Sequence, residues 1–252
     1  MTDAEYLISY LAEKQNIEVS LPDSDAEREK LFFSLSENFF PDTEEDEFFL
    51  TVQDRFLQAV QKARRPVSVH SLTPVENNLY VWKGDPTRLE IDAVVSCTDE
   101  YLMGCYIPCH ECITKRIYKY AGAEIHTVLR RAADFTSTKT DVSAIITKAH
   151  NLPSRFIIHP WKDSDAAYPY PAYDEQLSAA LQGRLHLAWL NNISSACLCC
   201  AFSYAPDPES AAKELVASVR DWMNENPDYK MRIVLCVLNE DDRKILMKAL
   251  SE

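Results

Sequence analysis

Glycine is scarce in this chain, at four residues in 252. Few positions can therefore take a left-handed turn or bring backbone N–H groups close to a phosphate. Basic charge is also short: 26 Lys and Arg against 39 Asp and Glu leave a net charge of −13. That balance argues against nonspecific nucleic-acid binding, and any phosphate would have to be met by local groups. No apolar run approaches the length a bilayer requires, so no membrane association is expected. Met1 to Glu5 lack the basic start and apolar core of a secretory signal, which predicts a cytoplasmic protein. The eight cysteines are then expected as reduced thiols rather than a disulfide framework. Repeats and low-complexity linkers are absent too. What remains is a globular composition, 46% hydrophobic and 26% charged, long enough for one core with a helical extension.

The densest chemistry runs from Gly104 to Cys112, where three cysteines and a histidine fall within eight consecutive positions. Cys105, His110 and Cys112 can supply two thiolates and one imidazole to a single ion. Structural zinc sites close with four protein ligands, whereas catalytic ones keep three and an open position. No second Cys/His knuckle accompanies the cluster, which favours a three-ligand, open site. The alternative is a set of ordinary reduced thiols beside a surface histidine.

Helical spacing dominates the first seventy or so residues. Tyr6, Leu7, Tyr10 and Leu11 mark one helix, and Ser24 to Glu27 reads as the capped start of a second carrying Leu31, Phe32, Leu35 and Phe39. A third carries Phe49, Val52, Phe56, Leu57 and Val60, and the acidic run before it reads as a solvated helix start. After Arg64-Arg65-Pro66 the pattern changes. Strands are predicted at 79–83, 91–97, 142–148, 155–160, 193–202 and 231–238. Helices are predicted at 109–120, 123–133, 175–189, 208–224 and 240–250. Strand and helix alternating to the C-terminus predict a three-layer α/β/α fold with a mixed, largely buried sheet. Ligands in such sheets sit beyond the carboxyl ends of strands, the rim on which the Cys/His cluster falls.

Several segments in order resemble the zinc-dependent macrodomains, a branch of the macrodomain ADP-ribosylhydrolases. Leu79 to Leu89 is similar to the opening strand and Gly-Asp-Ile-Thr turn, and Ile91 to Val95 to the next strand. Met103 to Ile113 resembles the branch's Gly-Cys-Phe-x-Pro-x-His-x-Cys-Ile signature. Ile146 to Pro153 with Phe156 to His159 resembles its Asn-Leu-Pro and Val-Ile-His block, and Gln53 to Leu57 its helical extension. The resemblance implies an extension over residues 1–72 and a macrodomain over 73–252. It also implies a pocket for ADP-ribose or an ADP-ribosylated protein and, in active members, hydrolysis of the bond joining ADP-ribose to a side chain. Asp85 matches the carboxylate that accepts the adenine amino group; Cys105, His110 and Cys112 match the ligands of a zinc ion near the distal ribose. Thr87, Ser96, Asp99, Ser203 and Tyr204 fall at the remaining pocket positions. Cys109 occupies a variable position, as a spare thiol or an alternative ligand.

Departures from the pattern are as informative. Ser96-Cys97-Thr98-Asp99 stands where Asn-Ala-Ala-Asn is usual, leaving Asp99 as an acceptor for a ribose hydroxyl and a candidate general base. Cys112-Ile113-Thr114-Lys115 replaces Cys-Ile-Asp-Asn, so a carboxylate is missing and a cation stands beside its place. Cys199 to Pro206 lacks the glycines of the second phosphate loop, and Ser203 and Tyr204 offer hydroxyls instead of a nest of amides. Ala149-His150 replaces Gly-Tyr. Cys197, Cys199 and Cys200 read as core thiols and His159 as a packed or capping histidine; His126 and His186 fall on helices without acidic or thiol partners in sequence. Three functions stand: a zinc-dependent hydrolase of mono-ADP-ribosylated side chains, a degenerate zinc-containing macrodomain that binds an ADP-ribose-like ligand or a protein partner without turnover, or a zinc-stabilised interaction scaffold with no nucleotide site, its helical extension serving a partner.

Overall fold

The computed structural model describes residues 1–37, 39–42, 45–96, 112–136, 144–160 and 175–252. The chain opens with three helices, α1 (Asp3–Lys14), α2 (Asp25–Ser36) and α3 (Glu47–Ala63). Thr2 and Glu5 close a capping box on α1, and Ser24 caps α2 through the Glu27 N–H as the sequence predicts. Their apolar stripes converge on one cluster that includes Leu7, Leu11, Phe32, Phe49 and Leu57. Asp46 departs from the expected solvated run. It is 2% exposed, accepts from the Tyr10 hydroxyl and the Asp42 N–H, and pairs with Lys14 at 2.9 Å.

The rest alternates strand and helix. The strands are β1 (Val67–Ser68), β2 (Pro74–Glu76), β3 (Leu79–Lys83), β4 (Leu89–Glu90), β5 (Ala93–Val95), β6 (Ala144–Lys148), β7 (Phe156–Pro160), β8 (Ser195–Cys200) and β9 (Arg232–Val237). The helices are α4 (Ile113–Ala121), α5 (Glu124–Thr136), α6 (Glu175–Leu190), α7 (Pro208–Glu225) and α8 (Glu240–Leu250). A seven-stranded sheet runs β2-β3-β9-β8-β5-β7-β6, while β1 and β4 form a separate parallel pair. From β3 to β7 neighbouring strands are parallel; the edges β2 and β6 are antiparallel. The sheet is thus mixed, as expected.

Period-two alternation divides the core. Ala196, Leu198 and Cys200 of β8 join Ile233, Leu235 and Val237 of β9 on the face covered by α6, α7 and α8. Cys197, Val234 and Cys236 face the other way, toward Ile113, Ile117 and Ala121 of α4 and Ile125 and Leu129 of α5. Three layers result, with the N-terminal helices seated on the α4–α5 side. Gln53 Oε1 accepts from the Ala123 N–H at 3.2 Å, and Phe33 lies edge-on to Tyr120. Gly122 makes this approach possible. It ends α4 at φ 104°, and a Cβ there would lie 2.8 Å from Gln53 Nε2 and 3.1 Å from Leu57 Cδ1.

Candidate functional site

Asp85 follows β3, Ser96 follows β5 and Ser203 follows β8, so the carboxyl ends of parallel strands bring them to one rim. Asp85 caps the short turn Pro86–Arg88. Its Oδ1 accepts from the Thr87 N–H at 3.0 Å and the Thr87 hydroxyl at 2.6 Å. Its Oδ2 accepts from Arg64 at 2.7 Å and Arg116 at 3.0 Å. Burial opposes ionisation of this carboxyl, but the Thr87 hydrogen bonds and the two guanidinium charges prevail and hold its pKa below the ordinary 3.8. Thr87 itself is fully buried, its hydroxyl donating to Asp85 and accepting from Arg64 at 2.9 Å.

Arg64 and Arg116 carried no signal of a role in the sequence. Arg64 lies at the end of α3, where the helical pattern stops, and its guanidinium stacks 3.6 Å from the centroid of Tyr120. Arg116 lies on α4, the helix that begins just after Cys112. The same helix carries Thr114, which is buried, and Lys115, which forms an ion pair with Glu37 at the end of α2. The cation beside the missing carboxylate is therefore neutralised by the N-terminal helices.

Cys112 is the N-cap of α4, half-buried, with its sulfur accepting from the Lys115 N–H at 3.4 Å. A sulfur at a helix start that accepts backbone N–H bonds is disposed as a thiolate ligand would be, so this position fits a soft metal ion. Cys105, Cys109, His110 and Asp99 lie outside the described residues. Among those that are described, no group of three His, Cys, Asp or Glu side chains is placed to hold a metal.

Ser96 is 1% exposed, its hydroxyl 3.3 Å from His159 Nδ1. His159 is buried at the end of β7, with Nδ1 also 3.1 Å from the Tyr118 hydroxyl and Nε2 2.9 Å from Thr147 Oγ1. Burial pulls its pKa down to about 3, so the ring is neutral at physiological pH. His126, half-buried, packs between Phe40 and Tyr118. Ser203 is exposed, and both its N–H, at 2.7 Å, and its hydroxyl, at 2.6 Å, donate to Asp242 on α8. The backbone of Tyr204 completes the same helical turn, Phe202–Tyr204. Cys197 and Cys200 are buried and Cys199 half-buried in the sheet, as core thiols. Contacts with the Cys199 and Cys236 sulfurs, together with burial, push the Cys197 thiol well above its ordinary range.

No protein-family model matches the chain. A protein-ADP-ribose hydrolase of Treponema medium is 31% identical over 255 residues, covering 98% of this chain and 97% of that protein. A protein-ADP-ribose hydrolase of Staphylococcus aureus strain MSSA476 is 26% identical, covering 97% of this chain and 94% of its own length. Among solved structures, the Trypanosoma brucei macrodomain in complex with ADP-ribose superposes with a TM-score of 0.58 at 22% identity, over 74% of this chain and 77% of that one. The fold is that of a macrodomain, and the chain belongs to the macrodomain family, among relatives named protein-ADP-ribose hydrolases.

Proposed function

We propose that this protein is a cytoplasmic hydrolase that removes ADP-ribose from mono-ADP-ribosylated protein side chains. The observation that carries the reading is the near full-length similarity to the Treponema medium protein-ADP-ribose hydrolase. In the net reaction the oxygen of water joins the anomeric carbon of the ribose, and a proton goes to the released side chain. Residues 1–72 are the helical extension and 73–252 the catalytic macrodomain. Asp85 and Thr87 stand at the base end of the pocket, Ser203 and Tyr204 at the diphosphate, and Ser96 and Asp99 at the distal ribose, where Asp99 serves as base. Cys105, His110 and Cys112 hold a zinc ion, which when bound polarises a ribose oxygen or makes hydroxide available near neutral pH. The capping position of Cys112 supports that ligand set.

A second reading, binding of ADP-ribose without turnover, is favoured by one local feature. Thr114 is buried and Lys115 is tied to Glu37, so neither replaces the missing carboxylate. Two measurements test the shared core of both readings. Purified protein is expected to hold about one zinc per chain and Cys112→Ala to lose it; a metal-free wild type would remove zinc from the account. Calorimetry with ADP-ribose should give saturable heat, and silence at millimolar ligand would refute the nucleotide pocket.

A further inference from the structure

Three thiols share one face of the sheet. Cys197 and Cys199 alternate with Leu198 on β8, so both sulfurs turn toward α4 and α5, the side that Cys236 of β9 also faces. The Cys197 sulfur touches the sulfurs of the other two. In the sheet's register Cys199 stands directly opposite Cys236, which in turn stands opposite Trp82 of β3. Cys199 and Cys236 are each the last but one residue of their strands, at the carboxyl-end rim that carries Asp85 and Ser203. The Cys236 thiol donates to the Gly84 carbonyl at 3.3 Å, one residue before Asp85. Cys197 and Cys236 are buried, whereas Cys199 is half-buried and so open to a small solute.

Neighbouring strands lie about 4.8 Å apart, so directly opposed residues fall inside the window of about 4.4–6.8 Å between Cα atoms that a disulfide spans. Cys199 and Cys236 meet that condition. Cys197 is opposite Val234, which sets it diagonally from Cys236 at about 7–8 Å, the limit of what can be bridged without backbone movement. Along β8 the Cβ atoms of Cys197 and Cys199 point the same way about 6.6 Å apart, too far for an unstrained bridge. Contact with Cys197 favours the Cys236 thiolate, but burial and the nearby Cys199 and Asp85 prevail and raise its pKa, as that of Cys197 is raised. Both buried thiols are thus held protonated and attack an oxidant slowly. We propose that Cys199 and Cys236 form a peroxide-sensitive dithiol, a modification site that closes to a cross-strand disulfide. Cys199 gives up its proton and its sulfur attacks hydrogen peroxide; the O–O bond breaks, water leaves and a sulfenic acid remains. The Cys236 sulfur then attacks the Cys199 sulfur. The S–S bond forms, the S–O bond breaks, and the departing hydroxide takes the Cys236 proton as water. Two thiols lose two electrons while one peroxide becomes two waters. Closure withdraws the thiol proton from the Gly84 carbonyl, so the turn that carries Asp85 loses a hydrogen bond in the oxidised state.

Hydrogen peroxide treatment of the folded full chain, then alkylation of remaining thiols during unfolding and tryptic mapping without reductant, tests this. Peptide 185–213, which holds Cys199, should be joined to peptide 233–243, which holds Cys236. Their joint mass should be about 2 Da below the sum of the two, and dithiothreitol should separate them. Cys199→Ala should abolish the cross-link. Cys236→Ala should abolish it too and leave Cys199 as a sulfenic acid that dimedone traps; if that variant fails to fold, Cys199→Ala still decides. Because peptide 185–213 also holds Cys197 and Cys200, a cross-link that survives in Cys199→Ala would come from one of those and overturns the proposal. An unmodified wild-type Cys199, or one carried to the sulfinic acid with no cross-link to Cys236, overturns it as well. Hydrolysis and ADP-ribose binding by the reduced protein are separate measurements, so neither outcome bears on the proposed function.

Discussion

Replacing His159 with Gln should remove about half of the stability that the protein loses between pH 8 and pH 5. Burial lowers the His159 pKa from 6.5 to about 3. Burial, with a smaller contribution from Arg130, lowers that of His126 from 6.5 to about 4. Both folded-state values lie below the unfolded ones, so below pH 6.5 the unfolded chain binds protons that the folded chain refuses. Stability is full above that value and falls as pH drops, until the folded-state pKa is reached. At pH 5 each imidazole costs about 2 kcal/mol, roughly 4 kcal/mol for the pair, against a typical total of about 5–15 kcal/mol. Asp46, Asp85 and Asp92, whose carboxyls are held below the ordinary 3.8, contribute their losses only at lower pH. Asp54, raised by burial, acts in the opposite sense. Urea denaturation at a series of pH values reads the slope directly, independent of any uniform loss from the substitution. Wild-type stability that is flat from pH 8 to pH 5, or an equal slope in His159→Gln, would refute the reasoning.

Two further substitutions probe how the N-terminal helices are seated. Gly122→Ala forces a side chain into a positive-φ position already approached by Gln53 and Leu57, and should cost about 2 kcal/mol or more in denaturant unfolding; an unchanged midpoint would contradict the close approach. Asn151 donates to Asp54 at 2.6 Å and to the Ala121 carbonyl at 3.0 Å, so Asn151→Ala should cost about 1–3 kcal/mol by leaving both underserved. Wild-type stability in that variant would show that water replaces those bonds.

The main strands were legible because short, near-continuous runs of β-branched, aromatic and other apolar residues mark buried strands, as in Leu79–Lys83 and Arg232–Val237. β5 begins at Ala93, two residues later than expected, and Cys97, the expected end of that strand, lies outside the described residues. The pair β1 and β4 was not legible, because two residues carry no period. The Gly-Asp-Pro-Thr turn that carries Asp85 was legible as a local signal. Its cations were not: Arg64 is 21 residues upstream and Arg116 31 downstream, and nothing in the spacing announces that three elements meet. The burial of Asp46 was hidden for the same reason, since its donors Tyr10 and Lys14 sit on another helix. The metal signature is the reverse case, dense in sequence and represented among the described residues by Cys112 alone.

Release of ADP-ribose from a mono-ADP-ribosylated protein, followed with and without a zinc chelator, tests the central claim most directly. The wild type should release ADP-ribose with time, and the chelator and Cys112→Ala should each suppress that release. Retention of the modification by zinc-loaded wild type that binds free ADP-ribose would contradict the hydrolase and leave a binding module in its place.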